Sequence, residues 1–156
     1  MADTTGTMVS EALDIGLVAH DITAMTAFYA DGLGMPAIED IELPGTRLAR
    51  FQAGRGILKF NQTSSVPDAA PGDVTRSRGM KLLTIIVPDL QATSESLQAA
   101  GFQGLNIQDH GQYSLAFTTD PNGSLIELAG ASGFGPLPVL QAVGLTVGNM
   151  ASSSAF

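Results

Sequence analysis

The feature that most constrains this chain is an internal repeat in which an apolar segment leads into a helix. Residues 13–19 are mostly apolar, and apolar side chains recur at helical spacing after Asp21 until Gly34 is reached. An aspartate before such a run is typical of a helix N-cap, and a glycine after it of a helix end. The plan returns over 81–101, where Asp89 lies 68 positions after Asp21. The repeat predicts two modules that each begin with a strand and a helix.

Each predicted helix is followed by three short segments with strand character. The helices are predicted over 22–33 and 90–100, and the later strands over 36–42, 47–52, 57–61, 105–109, 113–118 and 124–129. Residues 63–78 are rich in proline, glycine and serine, a linker composition. We therefore predict an α+β fold of tandem βαβββ modules, 11–62 and 79–131, after a disordered lead-in over 1–10.

A third, partial copy of the repeat lies at the other end of the sequence. Residues 141–156 match 13–28 at an offset of 128, so that Gly144 corresponds to Gly16. We interpret residues 136–156 as the start of a further module whose remainder is missing, which predicts a longer parent chain with a second such domain. Because this segment carries an apolar, uncharged strand, we expect it to dock on a sheet edge or to drive self-association.

Composition excludes several classes of function. The chain has no cysteine, which rules out disulfides, thiolate metal sites and cysteine nucleophiles. Its net charge is −8, with 7 basic against 15 acidic residues, so we expect no nucleic-acid partner. Residues 1–10 lack the charged and apolar regions of a signal peptide, and polar residues interrupt the apolar tail before it reaches the length of a membrane span. We expect a cytoplasmic protein with no membrane partner.

The order of elements and one motif resemble a known family. Residues 120–128 read DPNGSLIEL, a turn leading into a strand, and they close the second of two βαβββ modules. In this the chain resembles the vicinal oxygen chelate superfamily, which includes glyoxalase I, methylmalonyl-CoA epimerase, extradiol dioxygenases, fosfomycin-resistance enzymes and bleomycin-binding proteins. The resemblance covers about residues 12–131. It implies curved sheets around a cavity that holds a small molecule.

The resemblance also implies where metal ligands would lie. In that family they come from the first and last strands of each module, and the corresponding positions here are Asp14, Lys59, Leu82 and Glu127. Leucine has no donor atom, and a lysine ammonium competes with a metal cation. We therefore expect no metal and no other cofactor. The alternative is a divalent metal held weakly by Asp14 and Glu127.

The same positions suggest a catalytic group. A buried cluster of Asp14, Lys59 and Glu127 could polarise a carbonyl through the ammonium and move a proton through a carboxylate. The alternative is an inert ion pair, since structural ion pairs occupy buried sites as well. One of Arg47 and Arg50 can face the cavity as an anion clamp. The side chains predicted to bind substrate are Arg50, Leu82, Thr84, Asn61 and Tyr113.

Three functions remain open from the sequence. The first is a metal-independent lyase, isomerase or epimerase that acts next to a carbonyl. The second is a non-catalytic protein that binds or sequesters a small molecule, as resistance proteins do. The third is a metal-dependent, glyoxalase-like lyase that recruits a ligand from elsewhere. In each case the partner is a small molecule, with a homodimer or a second domain of a longer chain as further partners.

Overall fold

The computed structural model describes residue 12 and residues 14–62, 79–131 and 135–146. The predicted lead-in over 1–10, the linker over 63–78 and the part of the third copy after 146 lie outside the described residues. Within the described ranges, no helix is both long and apolar enough to cross a membrane.

The first module forms a four-stranded mixed sheet. Its strands are β1 (Ile15–Ala19), β2 (Ala37–Leu43), β3 (Thr46–Ala53) and β4 (Gly56–Gln62). They lie in the order β1-β4-β3-β2, with β1 parallel to β4 and the other pairs antiparallel. The first strand of the module is therefore an edge strand.

The helix of the first module changes type along its length. Helix α1 (Ile22–Thr26) is capped by Asp21, whose carboxylate accepts a 3.0 Å hydrogen bond from the amide of Ala24. It continues as a π-helix over Ala27–Gly32, so that Leu33 N bonds to the carbonyl of Phe28 at 2.9 Å, five residues back. The prediction of a helix over 22–33 is confirmed, and its second half is wider than an α-helix.

The second module repeats the plan and adds a strand. Its elements are β5 (Gly79–Val87), α2 (Leu90–Ala99), β6 (Gln108–Asp109), β7 (Ser114–Thr119) and β8 (Leu125–Gly130), and β9 (Val139–Thr146) follows. The sheet order is β6-β7-β8-β5-β9. Strand β6 is shorter than the predicted 105–109, because the amide of Leu105 bonds to Ser94 Oγ on α2 at 2.8 Å and holds the chain against the helix. The α+β class with tandem βαβββ modules is confirmed.

The sequence repeat is reproduced in the strand register. In the first sheet Ile15 lies opposite Leu58, and in the second Leu83 lies opposite Ile126. Both members of the second pair are 68 positions after those of the first. Equivalent positions of the two modules can therefore be compared residue by residue.

One core is shared by the two modules. Buried side chains from the inner faces of both sheets and from both helices form a single apolar cluster, which includes Phe28, Phe60 and Leu128. Helix α2 packs on the π-helix at Gly32, where a β-carbon would lie 2.7 Å from Leu97 Cδ2. The face of each sheet that carries its helix is thus turned toward the other module, and the opposite face of each sheet is turned away from this core.

Strand β9 completes the second sheet. It runs antiparallel to β5 at the sheet edge, and Leu140 and Val143 pack against the shared core. The amide of Gly54, in the β3–β4 turn, bonds to the carbonyl of Pro138 at 3.1 Å. The expectation that this segment docks on a sheet edge is met, on the second module of its own chain.

Candidate functional site

The outer face of the first sheet gathers charged and polar side chains. Lys59 on β4 lies opposite Gly16 of β1 on one side and Arg50 of β3 on the other. Directly paired residues of neighbouring strands share a face, and burial alternates along β3 and β4 so that Arg50 and Lys59 face away from the core. We call this surface the open face. It is formed by Asp14, Gly16, Val18, Ile41, Leu48, Arg50, Lys59 and Asn61.

Asp14 and Lys59 form an ion pair at one end of the open face. Lys59 Nζ donates to Asp14 Oδ2 at 2.6 Å, and Ile57 N donates to the other carboxylate oxygen at 3.1 Å. The hydrogen bond from Lys59 holds the pKa of Asp14 below its ordinary value, and the lysine charge acts in the same direction. The side chains are 45% and 30% exposed, so the pair is accessible to solvent and is not the buried cluster expected from the sequence.

Arg50 carries a charge that no carboxylate among the described residues neutralises. Its Nε donates to the carbonyl of Glu39 at 3.0 Å, and Nη2 donates to the same oxygen. The ion pairs within the described part of the chain do not include Arg50, whereas Arg47 pairs with Asp40 at 2.6 Å. Arg50 is therefore the arginine that is available to an anion on the open face.

Glu127 lies on the other sheet. It is opposite Thr84 of β5, whose hydroxyl donates to Glu127 Oε1 at 3.1 Å, and opposite Phe117 of β7. Between the described residues no ion pair joins Lys59 and Glu127. The structure brings Asp14 to Lys59 and Glu127 to Thr84.

The remaining predicted side chains are dispersed. Leu82 lies opposite Gly144 of β9, where a β-carbon would be 2.8 Å from that of Leu82. Asn61 is on the open face and accepts a hydrogen bond from the hydroxyl of Thr46. Tyr113 is 49% exposed in the hairpin before β7 and stacks on His110 with ring centroids 5.2 Å apart. Of this set, only Asn61 shares the open face with Arg50.

The donor set does not fit a divalent metal. The register makes Asp14 equivalent to Leu82, and Lys59 equivalent to Glu127. In the first module these positions hold Asp14 and Lys59, so an ammonium already lies on the carboxylate. In the second module they hold Leu82 and Glu127, so one carboxylate is offered beside a side chain without a donor atom. The described residues contain no cluster of three or more histidine, cysteine or acidic side chains that could hold a metal ion.

Two acidic residues that hold the arginines, one through its side chain and one through its backbone carbonyl, were not singled out from the sequence. Asp40 pairs with Arg47, and the backbone at Glu39 accepts the guanidinium of Arg50. The sequence did contain a signal for these contacts. Acidic residues over 39–42 face basic residues over 47–50 across the Pro44-Gly45 turn of a predicted hairpin. Opposite charges on paired strands stabilise such a hairpin.

Comparison with known proteins places this architecture among characterised families. The family model described as Glyoxalase/Bleomycin resistance protein/Dioxygenase superfamily matches residues 12–128. No curated protein sequence is significantly similar to the chain.

Several solved structures share the fold. Glyoxalase I from Zea mays superposes with a TM-score of 0.70 at 21% identity, over 90% of this chain and 51% of the maize chain. A glyoxylase/bleomycin resistance protein/dioxygenase domain from Frankia sp. EAN1pec gives 0.63 at 17% identity, over 80% and 99%. A glyoxalase family protein from Enterococcus faecalis gives 0.58 at 20% identity, over 74% and 94%. The chain thus spans about half the length of the maize enzyme and nearly all of the two bacterial proteins.

Proposed function

We propose that this chain, which belongs to the Glyoxalase/Bleomycin resistance protein/Dioxygenase superfamily, binds a small anionic carbonyl compound on the open face without changing its bonds. The observation that carries the proposal is the pairing of Arg50, which has no carboxylate partner among the described residues, with Lys59 on the next strand. The ligand class is a short carboxylate with a neighbouring carbonyl group.

The charge arrangement supports an anion at this point. Like charges that lie directly opposite each other on neighbouring strands repel, and a carboxylate placed between them removes the repulsion. A guanidinium binds a carboxylate through two parallel, charge-assisted hydrogen bonds. The chain as a whole carries a net charge of −8, so an anion has few other favourable places on its surface.

The rest of the open face suits the apolar end of such a ligand. One row of side chains crosses the open face in the order Val18, Asn61, Leu48 and Ile41. It lies next to the row that contains Lys59 and Arg50. Val18 and Ile41 are 39% and 37% exposed. A surface with a few polar groups beside apolar side chains is the usual composition of a small-molecule site.

The state of Asp14 favours binding over catalysis. A general base works best when its pKa is near the working pH, and the hydrogen bond from Lys59 lowers the pKa of Asp14 below its ordinary range. Asp14 is therefore a weak base at neutral pH. It acts instead as an internal counter-ion that competes with the ligand for Lys59.

A second candidate function is a metal-independent lyase or isomerase. The carboxylate of Glu127 is bonded to the Thr84 hydroxyl, and the described residues place no cation on it. Such a carboxylate can take a proton from the carbon next to a carbonyl and return it. The donor set does not fit the metal-dependent alternative.

The proposal is tested by calorimetric titration with pyruvate, a simple carboxylate with a neighbouring carbonyl. Lys59→Met and Arg50→Met each should weaken binding by about tenfold or more, since hydrogen bonds to charged groups contribute about 1.5–3 kcal/mol. Arg47→Met is the matched control, because that side chain is held by Asp40, and it should bind as the unchanged protein does. Equal affinity in all four proteins would refute the proposal.

Exchange of the methyl protons of pyruvate in D2O, followed by NMR, separates the two functions. The binding function predicts no exchange above the rate in buffer. Exchange that is catalysed by the protein and lost in Glu127→Gln would establish the second candidate instead.

A further inference from the structure

The turn between β7 and β8 contains the one Asn-Gly pair of the sequence, Asn122 and Gly123. The side-chain amide of an asparagine can react with the backbone nitrogen of the residue that follows it. A glycine in that second position leaves the nitrogen without steric cover, because it has no β-carbon. Asn122 is half-buried and Gly123 is exposed, so water reaches the pair. The turn therefore holds the groups and the solvent access that a spontaneous covalent change requires.

The folded turn engages the two reacting groups in separate hydrogen bonds. The amide of Gly123 donates to the carbonyl of Asp120 at 2.9 Å, as in a β-turn. The side-chain amide of Asn122 donates to the carbonyl of Val18 on β1 at 2.8 Å, so it bridges the two modules. One group is thus bonded within the turn and the other to the first module. Their reaction with each other requires that both bonds be released.

Asp120 is the residue that keeps the turn closed. One of its carboxylate oxygens accepts the amides of Asn122 and Ser124 at 3.0 and 2.8 Å, and the other accepts the phenol of Tyr29 at 3.0 Å. A segment that few contacts hold can open locally at a lower free energy than the whole chain needs to unfold. Since one carboxylate carries these contacts, the turn over 120–124 can be released without unfolding of the rest.

We infer that Asn122 is a site of deamidation, and that release of the 120–124 turn controls its rate. In the released turn the nitrogen of Gly123 attacks Cγ of Asn122 and loses its proton, while the side-chain nitrogen leaves as ammonia. The product is a succinimide ring that joins the two residues. Water then opens the ring at one of its two carbonyls and gives aspartate or isoaspartate. One amide and one water are converted to a carboxylate and an ammonium ion, and no oxidant or reductant takes part.

Deamidation exchanges a donor for an acceptor at the contact with β1. A carboxylate at position 122 has no proton to donate to the carbonyl of Val18, and the two oxygens repel each other. The reaction also adds a negative charge, next to a residue of the open face, to a chain whose net charge is −8. The modification therefore loosens the contact between the turn and β1. It does not depend on the proposed ligand.

The first test is incubation of the full chain at mildly alkaline pH, followed by mass spectrometry of its peptides. The peptide that contains Asn122 should gain one mass unit and contain isoaspartate, which ring opening gives and direct hydrolysis of the amide does not. In urea that unfolds the chain the conversion should be about tenfold faster or more, because the turn no longer has to open first. Asn106, which precedes the bulky Ile107, is the internal control and should stay unchanged. No conversion in the folded chain, equal rates with and without urea, or equal conversion of Asn106 would overturn the inference.

The second test separates release of the turn from unfolding of the whole chain. Tyr29→Phe removes a donor from Asp120 and so weakens the turn. Ile85→Val is the matched control, because it removes a methyl group from the buried core on β5 and lowers the stability of the chain as a whole. At urea concentrations that make the two variants equally stable, Tyr29→Phe should convert Asn122 several-fold faster than Ile85→Val. Equal rates at equal stability would show that the reaction passes through global unfolding and would overturn the role given to the turn.

The third test introduces the product by substitution. Asn122→Asp should melt at a lower temperature than the unchanged chain, because the bond to the Val18 carbonyl is lost. Asn106→Asp makes the same change of charge in the segment before β6 and should melt as the unchanged chain does. An Asn122→Asp chain that melts no lower than Asn106→Asp would overturn the proposed loosening of the contact with β1.

Discussion

The phenol of Tyr29 donates a 3.0 Å hydrogen bond to the carboxylate of Asp120, 91 residues further along the chain. Tyr29 is fully buried and Asp120 is 4% exposed. The other carboxylate oxygen accepts the amides of Asn122 and Ser124 at 3.0 and 2.8 Å. The turn of the second module is thereby fastened to the helix of the first, and burial raises the pKa of both side chains.

Tyr29→Phe should destabilise the chain by about 1–3 kcal/mol, because one oxygen of a buried carboxylate loses its donor. The bond from Tyr29 lowers the pKa of Asp120, so removing it should raise that pKa further. Urea denaturation at neutral pH measures the change in the free energy of unfolding. A variant as stable as the unchanged chain would show that the bond contributes nothing.

Asp120 should make stability fall as the pH rises. Burial raises the folded-state pKa of Asp120 above the ordinary 3.8. The stability that Asp120 contributes is therefore fully present below pH 3.8 and is lost as the pH rises through the folded-state pKa. Asp120→Asn keeps an oxygen acceptor for the two amides and offers an amide donor to Tyr29, without a titrating group. The advantage of the unchanged chain over this variant should therefore shrink between about pH 3 and about pH 7.

Asp14 provides a control for which the pH dependence of stability should have the opposite sign. Its folded-state pKa is lowered, so its contribution is present above 3.8 and is lost as the pH falls through the folded-state pKa. The advantage of the unchanged chain over Asp14→Asn should thus grow with pH over the same range. Parallel slopes for Asp120→Asn and Asp14→Asn would contradict at least one of the two assignments.

Gly32→Ala should destabilise the contact between the two helices. The added methyl group would lie 2.7 Å from Leu97 Cδ2, and overpacking of this kind costs about 1–3 kcal/mol. In the background of Leu97→Ala the space is available, so the same substitution should cost far less. The four proteins form a double-mutant cycle, and additive effects would show that the contact is not tight.

The local features of the fold could be predicted from the sequence because they depend on neighbouring residues. Asp21 and Asp89 are N-caps as their positions indicated, and the strands repeat with the predicted spacing. The π-helix could not be predicted in this way. Its wider turns accompany the burial of both Phe28 and Tyr29, and the partner of Tyr29 belongs to the other module.

The candidate site was predictable within one sheet and not between the two. The family resemblance put Asp14 and Lys59 in one cluster, and the structure places them in contact. Parity does not tell how two sheets are placed relative to each other. Glu127 lies on the second sheet, where the hydroxyl of Thr84 donates to it.

The central claim, that Lys59 and Arg50 bind an anion for which Asp14 is the internal competitor, is tested most directly by titrating Asp14→Asn with pyruvate beside the unchanged chain. The substitution removes the carboxylate from Lys59 Nζ, 2.6 Å away. We expect pyruvate to bind Asp14→Asn more tightly than the unchanged chain, by a few-fold or more. Equal or weaker binding by Asp14→Asn would contradict the claim.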